Sequence, residues 1–383
     1  MQSTFPLPPW NGQGLSHRTI LRMGRYQAMD ISGMDPAVLI ALLRQMLRLR
    51  MTEEAILKEY HPADEIRCPV HFCIGQEAVP AALSLILQTE DYLFSHHRSH
   101  GYYFAKNAPM REFFAEIYGR ATGANQGRAG SMDISHHALN FFGGAILAGA
   151  IGIAVGVAYA LHTRGKPHVS VAGFGEGATE EGAFWEAMNY AGLHRLPVIF
   201  ICENNRYSVY SDQCKRQALD NICERVATFG VRTRQIFGND VALTYRTLKS
   251  EVEAVRAGSG PALIEAMTYR WNSHVGPEDD SDNVYRTAEE LAFWKRNCPI
   301  ELLEENLRAT GYLPANWRNT AEVDIRREIA ENFAFAKSSA FPENANWPEM
   351  NSNPASPEAD RLLGSSTQSD FDHDQPEAKL APY

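Results

Sequence analysis

Between residues 36 and 60 apolar side chains recur every three or four positions among good helix formers, which predicts a long amphipathic helix. A polar break at 61–67 precedes a second helix that runs from Ala78 to about Leu87, and a third, short one is expected over Met110–Tyr118. The pattern then changes. His168–Ala172 and Val198–Cys202 are short apolar runs rich in β-branched residues, with a helix-like segment between them. Further on, 218–230, 231–237, 241–257 and 261–269 read as helix, strand, helix, strand. Such alternation implies βαβ units: an α/β fold, with a parallel twisted sheet flanked by helices on both faces. Residues 288–338 carry charged helical patterning, and from 339 to 383 Pro, Asn, Ser and Asp displace apolar residues, so a disordered tail is expected there. The division expected is an arm over 1–34, an α/β domain over 35–300, helices over 301–338 and the tail.

One stretch could be mistaken for a membrane span, because Phe141–Leu161 holds 21 residues without a charge. Gly143, Gly144, Gly149, Gly152 and Gly156 dilute its hydrophobicity, so a buried helix with small, close-packing residues is expected instead. Residues 1–29 contain Arg18, Arg22 and Arg25 and no acid, as transit peptides do, but Pro6, Pro8, Pro9 and the lack of an apolar core favour a surface arm. The formal net charge of −10 argues against nucleic-acid or anionic-membrane partners. Six cysteines without C-x-x-C or metal-ligand spacing suit a reducing compartment, with the cytoplasm expected before the mitochondrial matrix.

Candidate chemistry concentrates in Gly173–Tyr207. Gly173, Gly175 and Gly177 follow a strand, so backbone can approach a bulky anion near a helix start. Glu176 sits among them and would repel phosphates unless a cation lay between. Magnesium suits that place, since it takes carboxylate, amide and carbonyl oxygens together with diphosphate oxygens. The second strand delivers Asn204, Asn205 and Tyr207 to the same sheet edge. Gly173-Phe-Gly175-Glu-Gly-Ala178 also fits the dinucleotide fingerprint, with Glu203 as the ribose acid. An acid inside the glycine turn and an Asn pair without a task weigh against that alternative.

Other candidates flank this stretch. His71 precedes the second helix. His96, His97, Arg98 and His100 cluster where a strand ends, and an arginine clamp on phosphate fits them better than zinc. The loop Gly119–Ser131, with four glycines, Arg120 and Arg128, reads as mobile backbone near an anion. Arg270 and His274 lie beyond the carboxyl end of a strand, where open α/β sheets bind ligands.

Taken in order, Gly-Gln-Glu-Ala (75–78), His-Arg-Ser-His-Gly (97–101), Gly-Arg-Ala-Gly-Ser-Met (127–132), Asn-Phe-Phe-Gly-Gly (140–144), the blocks within 175–207, and Met-Thr-Tyr-Arg (267–270) with His274 resemble the alpha subunit of the thiamine-diphosphate-dependent 2-oxo acid dehydrogenases. This is the decarboxylating component of pyruvate, branched-chain 2-oxo acid and acetoin dehydrogenase complexes. The resemblance covers about residues 35–310 and implies the thiamine-diphosphate-binding fold. It implies magnesium on Glu176, Asn205 and the Tyr207 carbonyl, and diphosphate on Gly175, Gly177, Ala178, His97, Arg98, Arg270 and His274. It places the aminopyrimidine ring against the backbone of Ile146 and Ala148, and His71, His100 and His274 around the reaction, with His274 as proton shuttle. The expected reaction is oxidative decarboxylation of a 2-oxo acid with acyl transfer to a lipoyl carrier, the cofactor acting as electron sink. The activating glutamate is expected from a beta subunit, in a heterotetramer of two alpha and two beta chains, with a lipoyl-carrier acyltransferase as further partner. A non-oxidative carboligase subunit and an inactive regulatory chain stay open as alternatives. Where such subunits have a glycine-rich turn this chain has Ser208-Val209-Tyr210-Ser211, and Val275 replaces a regulatory serine, which excludes kinase control at that position.

Overall fold

A computed structural model describes residues 16–60, 65–66, 68–280 and 285–343. Its centre is a seven-stranded sheet in the order β2 (Ser135–His136), β3 (Phe141–Phe142), β1 (Tyr92–Phe94), β4 (Ser170–Gly175), β5 (Val198–Asn204), β9 (Ala262–Met267), β8 (Arg232–Phe237). All neighbours run parallel except β2 against β3. A short antiparallel hairpin of β6 (Tyr207–Ser208) and β7 (Ser211–Asp212) stands apart from the sheet. The register pairs Gly175 with Glu203 and Asn204 with Met267, so β4, β5 and β9 end together.

Period-2 alternation distributes each buried strand between two cores. Val198, Phe200 and Cys202 face one, with α6 (Gly149–Thr163), α7 (Gly182–Leu193) and α8 (Ile222–Ala227). Ile199 and Ile201 face the other, which includes α2 (Pro36–Glu59), α3 (Ala78–Ser84), α4 (His100–Ala105), α5 (Met110–Ile117), α9 (Val241–Arg256), α10 (Ala288–Arg296), α11 (Pro299–Ala309) and α12 (Trp317–Ser338). Local signals set several helix starts. Asp35 accepts from Ala37 N–H at 2.8 Å ahead of Pro36, and Asp240 accepts from Leu243 N–H at 2.9 Å. The α/β architecture with helices on both faces is thus the one expected.

Several segments depart from expectation. Residues 16–34, expected as an arm, pack onto the body: α1 (His17–Leu21) buries Ile20, and Tyr26 donates its hydroxyl to Asp240 at 2.8 Å. Of the expected tail, 344–383 lie outside the described residues, but Ala340 still accepts from Ala121 N–H at 2.9 Å. Helix α6 is only half buried. Ile151, Ala154 and Ala158 face the core, whereas Gly152, Ile153, Gly156 and Tyr159 are exposed, because none of the described residues covers that stripe. Among the described residues no helix is long and apolar enough to cross a membrane.

The glycine loop at 119–131 does surround an anion, and that anion is internal. The buried carboxylate of Glu116 accepts from the backbone N–H groups of Asn125, Gly127, Ala129 and Gly130 at 2.7–3.1 Å. Gly127 takes φ +75°, and a Cβ there would lie 2.4 Å from Gly119 C. The loop is a fold element, with no anion from outside required.

Glu265 on β9 is also fully buried. It accepts from Asn204 at 2.8 Å and from Gln235 at 3.1 Å, and burial pushes its carboxyl up to about 7. A raised folded-state value means that the stabilising contribution is complete below the ordinary value of 4.5 and is lost as pH rises through about 7. Two outcomes are expected. The unfolding free energy of the wild type, from urea titrations, falls between about pH 4.5 and 7 by an amount on the order of 3 kcal/mol, and Glu265→Gln flattens that profile. Glu116→Ala, which strands four amide donors, lowers stability by about 3 kcal/mol at unchanged denaturant slope.

Candidate functional site

The carboxyl ends of β1, β4 and β5 meet where the chain order reverses across the sheet, the position at which open α/β sheets form a crevice. A cavity lies there. Gly175, Glu176, Gly177 and Ala178 contribute its floor, Asn205 and Tyr207 one wall, His97, Arg98 and His274 another, and Ile146 and Ala148 the rim. Ten of the cofactor-binding or metal positions expected from sequence are therefore brought to one place, together with His274.

The glycines of the β4 turn have different duties. A Cβ on Gly173 would lie 2.4 Å from the Tyr102 ring, and one on Gly177 would lie 2.8 Å from Ser208 Oγ, whereas Gly175 meets open space. A five-residue 3₁₀ turn, Glu176–Glu180, intervenes before α7, so the amides beside the cavity belong to that turn and not to the α-helix itself. Glu176 is buried, and its Oε1 accepts from Arg216 Nη2 at 2.6 Å. Burial still holds its carboxyl above the usual carboxylate range, the guanidinium opposing that shift.

Asn205 Oδ1 accepts from Tyr207 N–H at 3.2 Å, while the Tyr207 hydroxyl donates to Glu290 at 2.9 Å. The loop that carries both is braced from behind. Asn204 Oδ1 accepts from Arg206 N–H at 3.1 Å and lies 3.1 Å from His17 Nε2, so the N-terminal segment supports this loop. In the β6–β7 hairpin Val209 takes φ +53°, a left-handed conformation that a β-branched residue rarely adopts. Its carbonyl accepts from Arg270 Nη2 at 2.8 Å.

Three expected residues, His100, Arg270 and His71, are not in the lining of the cavity. His100 is fully buried, its Nδ1 on the Glu53 carboxylate and its Nε2 2.7 Å from Ser131 Oγ, so it ties α4 to α2 and to the 127–132 block. Arg270 turns away as well. It donates to Asn272 O at 2.7 Å and pairs with Asp280 at 3.3 Å, holding the loop that carries His274. His71 lies just behind the lining, with its ring 4.7 Å from His97 and 5.0 Å from His274. Arg98 is buried; one nitrogen donates to the Phe72 carbonyl and the other to His274 O at 3.4 Å. Burial, with Arg98 beside them, pushes His71 down to about 2 and His274 to about 3; burial, with His96 and Arg98 nearby, lowers His97 too.

Sequence reasoning missed Gln76, Leu147 and Phe174 in the lining, placed His96 only in the cluster read as a phosphate clamp, and assigned Glu203 only to the rival dinucleotide reading. Glu203 accepts from Tyr102 Oη at 2.8 Å and lies 3.3 Å from His96 Nε2. Gln76 had a signal in its Gly-Gln-Glu-Ala block. Gly75 takes φ +97°, where a Cβ would lie 2.5 Å from both Trp271 and Tyr269 O, and this turn delivers Gln76 to the cavity. Both amide atoms of buried Gln76 lack a hydrogen-bond partner among the described residues. Buried polar groups are rarely left so, and this one faces a cavity that a polar ligand can enter. With a guanidinium, the backbone amides of the β4 turn and the carboxylate, amide and carbonyl oxygens of Glu176, Asn205 and Tyr207, the donor set fits a diphosphate with a hard divalent cation.

The family model for the dehydrogenase E1 component matches residues 44–345. The pyruvate dehydrogenase E1 component subunit alpha of Zymomonas mobilis is 34% identical over 322 residues, covering 83% of this chain and 88% of that protein. The subunit of the same name from Porphyra purpurea is 31% identical over 79% of this chain and 90% of its own length, and the human mitochondrial somatic form is 33% identical over 72% and 70%. This chain belongs to the dehydrogenase E1 component family.

Proposed function

We propose that this chain is the alpha subunit of a thiamine-diphosphate- and magnesium-dependent 2-oxo acid dehydrogenase that works with a beta subunit. The observation that carries this reading is the convergence of Gln76, Arg98 and the Glu176–Asn205–Tyr207 oxygens on one cavity at the carboxyl edge of the sheet. Glu176, Asn205 and the Tyr207 carbonyl would hold magnesium, and Arg98 with the amides of Gly177 and Ala178 would meet the diphosphate. The backbone at Ile146 and Ala148 would take the aminopyrimidine ring; Ala148 already has φ +58°, the strained conformation of a residue held in place by its surroundings. When bound, thiamine diphosphate supplies the electron sink for the carbanion left as carbon dioxide departs.

The chain itself positions and exchanges protons. His71 and His274 are uncharged at neutral pH, because burial and the nearby Arg98 oppose a further positive charge. With an anion bound beside it the Arg98 guanidinium would be offset, which would raise the proton affinity of both rings at the moment a proton is needed. His274, on the cavity wall, is the shuttle in this reading, and His71 stands behind it. His100 and Arg270 act at one remove, by fixing the segments on which Arg98 and His274 stand.

A beta partner is supported by two features. The carboxylates of the lining, Glu176 and Glu203, are both engaged, by Arg216 and by Tyr102 with His96. The exposed stripe of α6, with Leu193 and Tyr190 exposed on α7, offers an apolar surface of the kind that subunits cover. With that partner the complex is read as transferring the acyl group to a lipoyl carrier. Two results are expected. The purified chain alone releases no carbon dioxide from 2-oxo acids, whereas the co-expressed alpha–beta complex does so and reduces added lipoamide; turnover without a beta chain would overturn the division of labour. By calorimetry, Glu176→Gln abolishes magnesium-dependent binding of thiamine diphosphate while the circular dichroism stays that of the wild type; unchanged affinity would show that the β4 turn has been misread.

A further inference from the structure

Three imidazoles from three separate segments converge at one side of the cavity. His71 precedes α3, His97 follows β1 and His274 follows β9, and one ring nitrogen from each lies within 4.8 Å of the others. The ring centroids form a nearly even triangle, 4.7, 5.0 and 5.1 Å on a side. Among the described residues none of the three rings makes a hydrogen bond, and buried Nδ1 of His71, a residue only 6% exposed, has no partner at all. His97 and His274 also line the cavity, so the third side of the triangle is open to an incoming group. Sequence spacing gave no hint of this, because His96, His97 and His100, the neighbours in the chain, go to Glu203, to this cluster and to Glu53 respectively.

We propose that His71, His97 and His274 form a binding site for a borderline divalent transition ion of the zinc or cobalt class, distinct from the oxygen-lined magnesium site. Three neutral imidazoles and one open position are the ligand set of an open tetrahedral zinc site, whereas magnesium prefers oxygen. Zinc–nitrogen bonds of about 2.0–2.1 Å require the nitrogens to draw together by the order of 1 Å, which side-chain torsion supplies. The guanidinium of Arg98, whose Nη2 donates to His274 O at 3.4 Å, opposes a bare dication. The site therefore favours an ion whose fourth ligand is an anion, such as a carboxylate or hydroxide. An ion held there withdraws the same lone pairs from proton transfer.

Cobalt titration of the full chain, followed by visible absorption, tests this without reference to turnover or to thiamine diphosphate. One equivalent is expected to bind with the strong absorption of tetrahedral cobalt. His97→Tyr and His274→Gln, each with a wild-type melting profile, are expected to weaken binding on the order of a hundredfold. Glu176→Gln is expected to leave the tetrahedral signal unchanged, which separates this site from the oxygen set and from the cofactor reading. Weak, octahedral-type absorption alone, or a tetrahedral signal undiminished in His97→Tyr and His274→Gln, would overturn the proposal.

Discussion

A carboxylate buried at the end of a parallel strand needs a proton, donors or a positive charge beside it, and Glu176 is such a group, with the Arg216 guanidinium as its partner. Its neighbours are arranged around that requirement. Arg216, from the segment just after the β6–β7 hairpin, reaches back to Glu176 at 2.6 Å and also pairs with Glu180. The same guanidinium touches the Arg206 carbonyl at 3.4 Å, so it bridges the β4 turn and the loop after β5. In the proposed holo state a metal would take over the role of neutralising Glu176, and the segment after the hairpin, which carries Arg216, is the part of the site that would adjust.

Polar networks behind the cavity keep that edge from relaxing. Buried Glu265 holds Asn204, which in turn holds Arg206 N–H and His17, and Glu290 receives both Arg206 and the Tyr207 hydroxyl. These contacts join α1, β9 and α10 to a loop of four residues. Such buried networks are costly when incomplete and directional when satisfied, which suits a loop proposed to present a carbonyl and an amide to a cation. The opposite condition marks the cavity itself, where the Gln76 amide and His71 Nδ1 are left without partners among the described residues.

Much of the architecture was legible in the sequence because hydrophobic periodicity reports burial directly. The run 198–202 had to be a strand covered on both sides, and the alternation from 218 to 269 had to make a parallel sheet. Other readings failed where the deciding partner was distant in the chain. The anion of the 119–131 loop is Glu116, His100 is claimed by Glu53, and Arg270 is claimed by Asp280. In each case the residue type predicted the need for a counter-charge, and only packing determined which group met it.

For the site the same division holds. Sequence by itself determined the β4 glycine turn with its acid, the Asn pair and the order of motifs, because those features are local and their chemistry follows from neighbours along the chain. Tertiary structure alone decided which histidines share a cavity, that Gln76 faces it without a partner, and that one face of α6 stays uncovered. Those outcomes depend on how strands far apart in sequence end side by side, and one-dimensional spacing carries no measure of that distance.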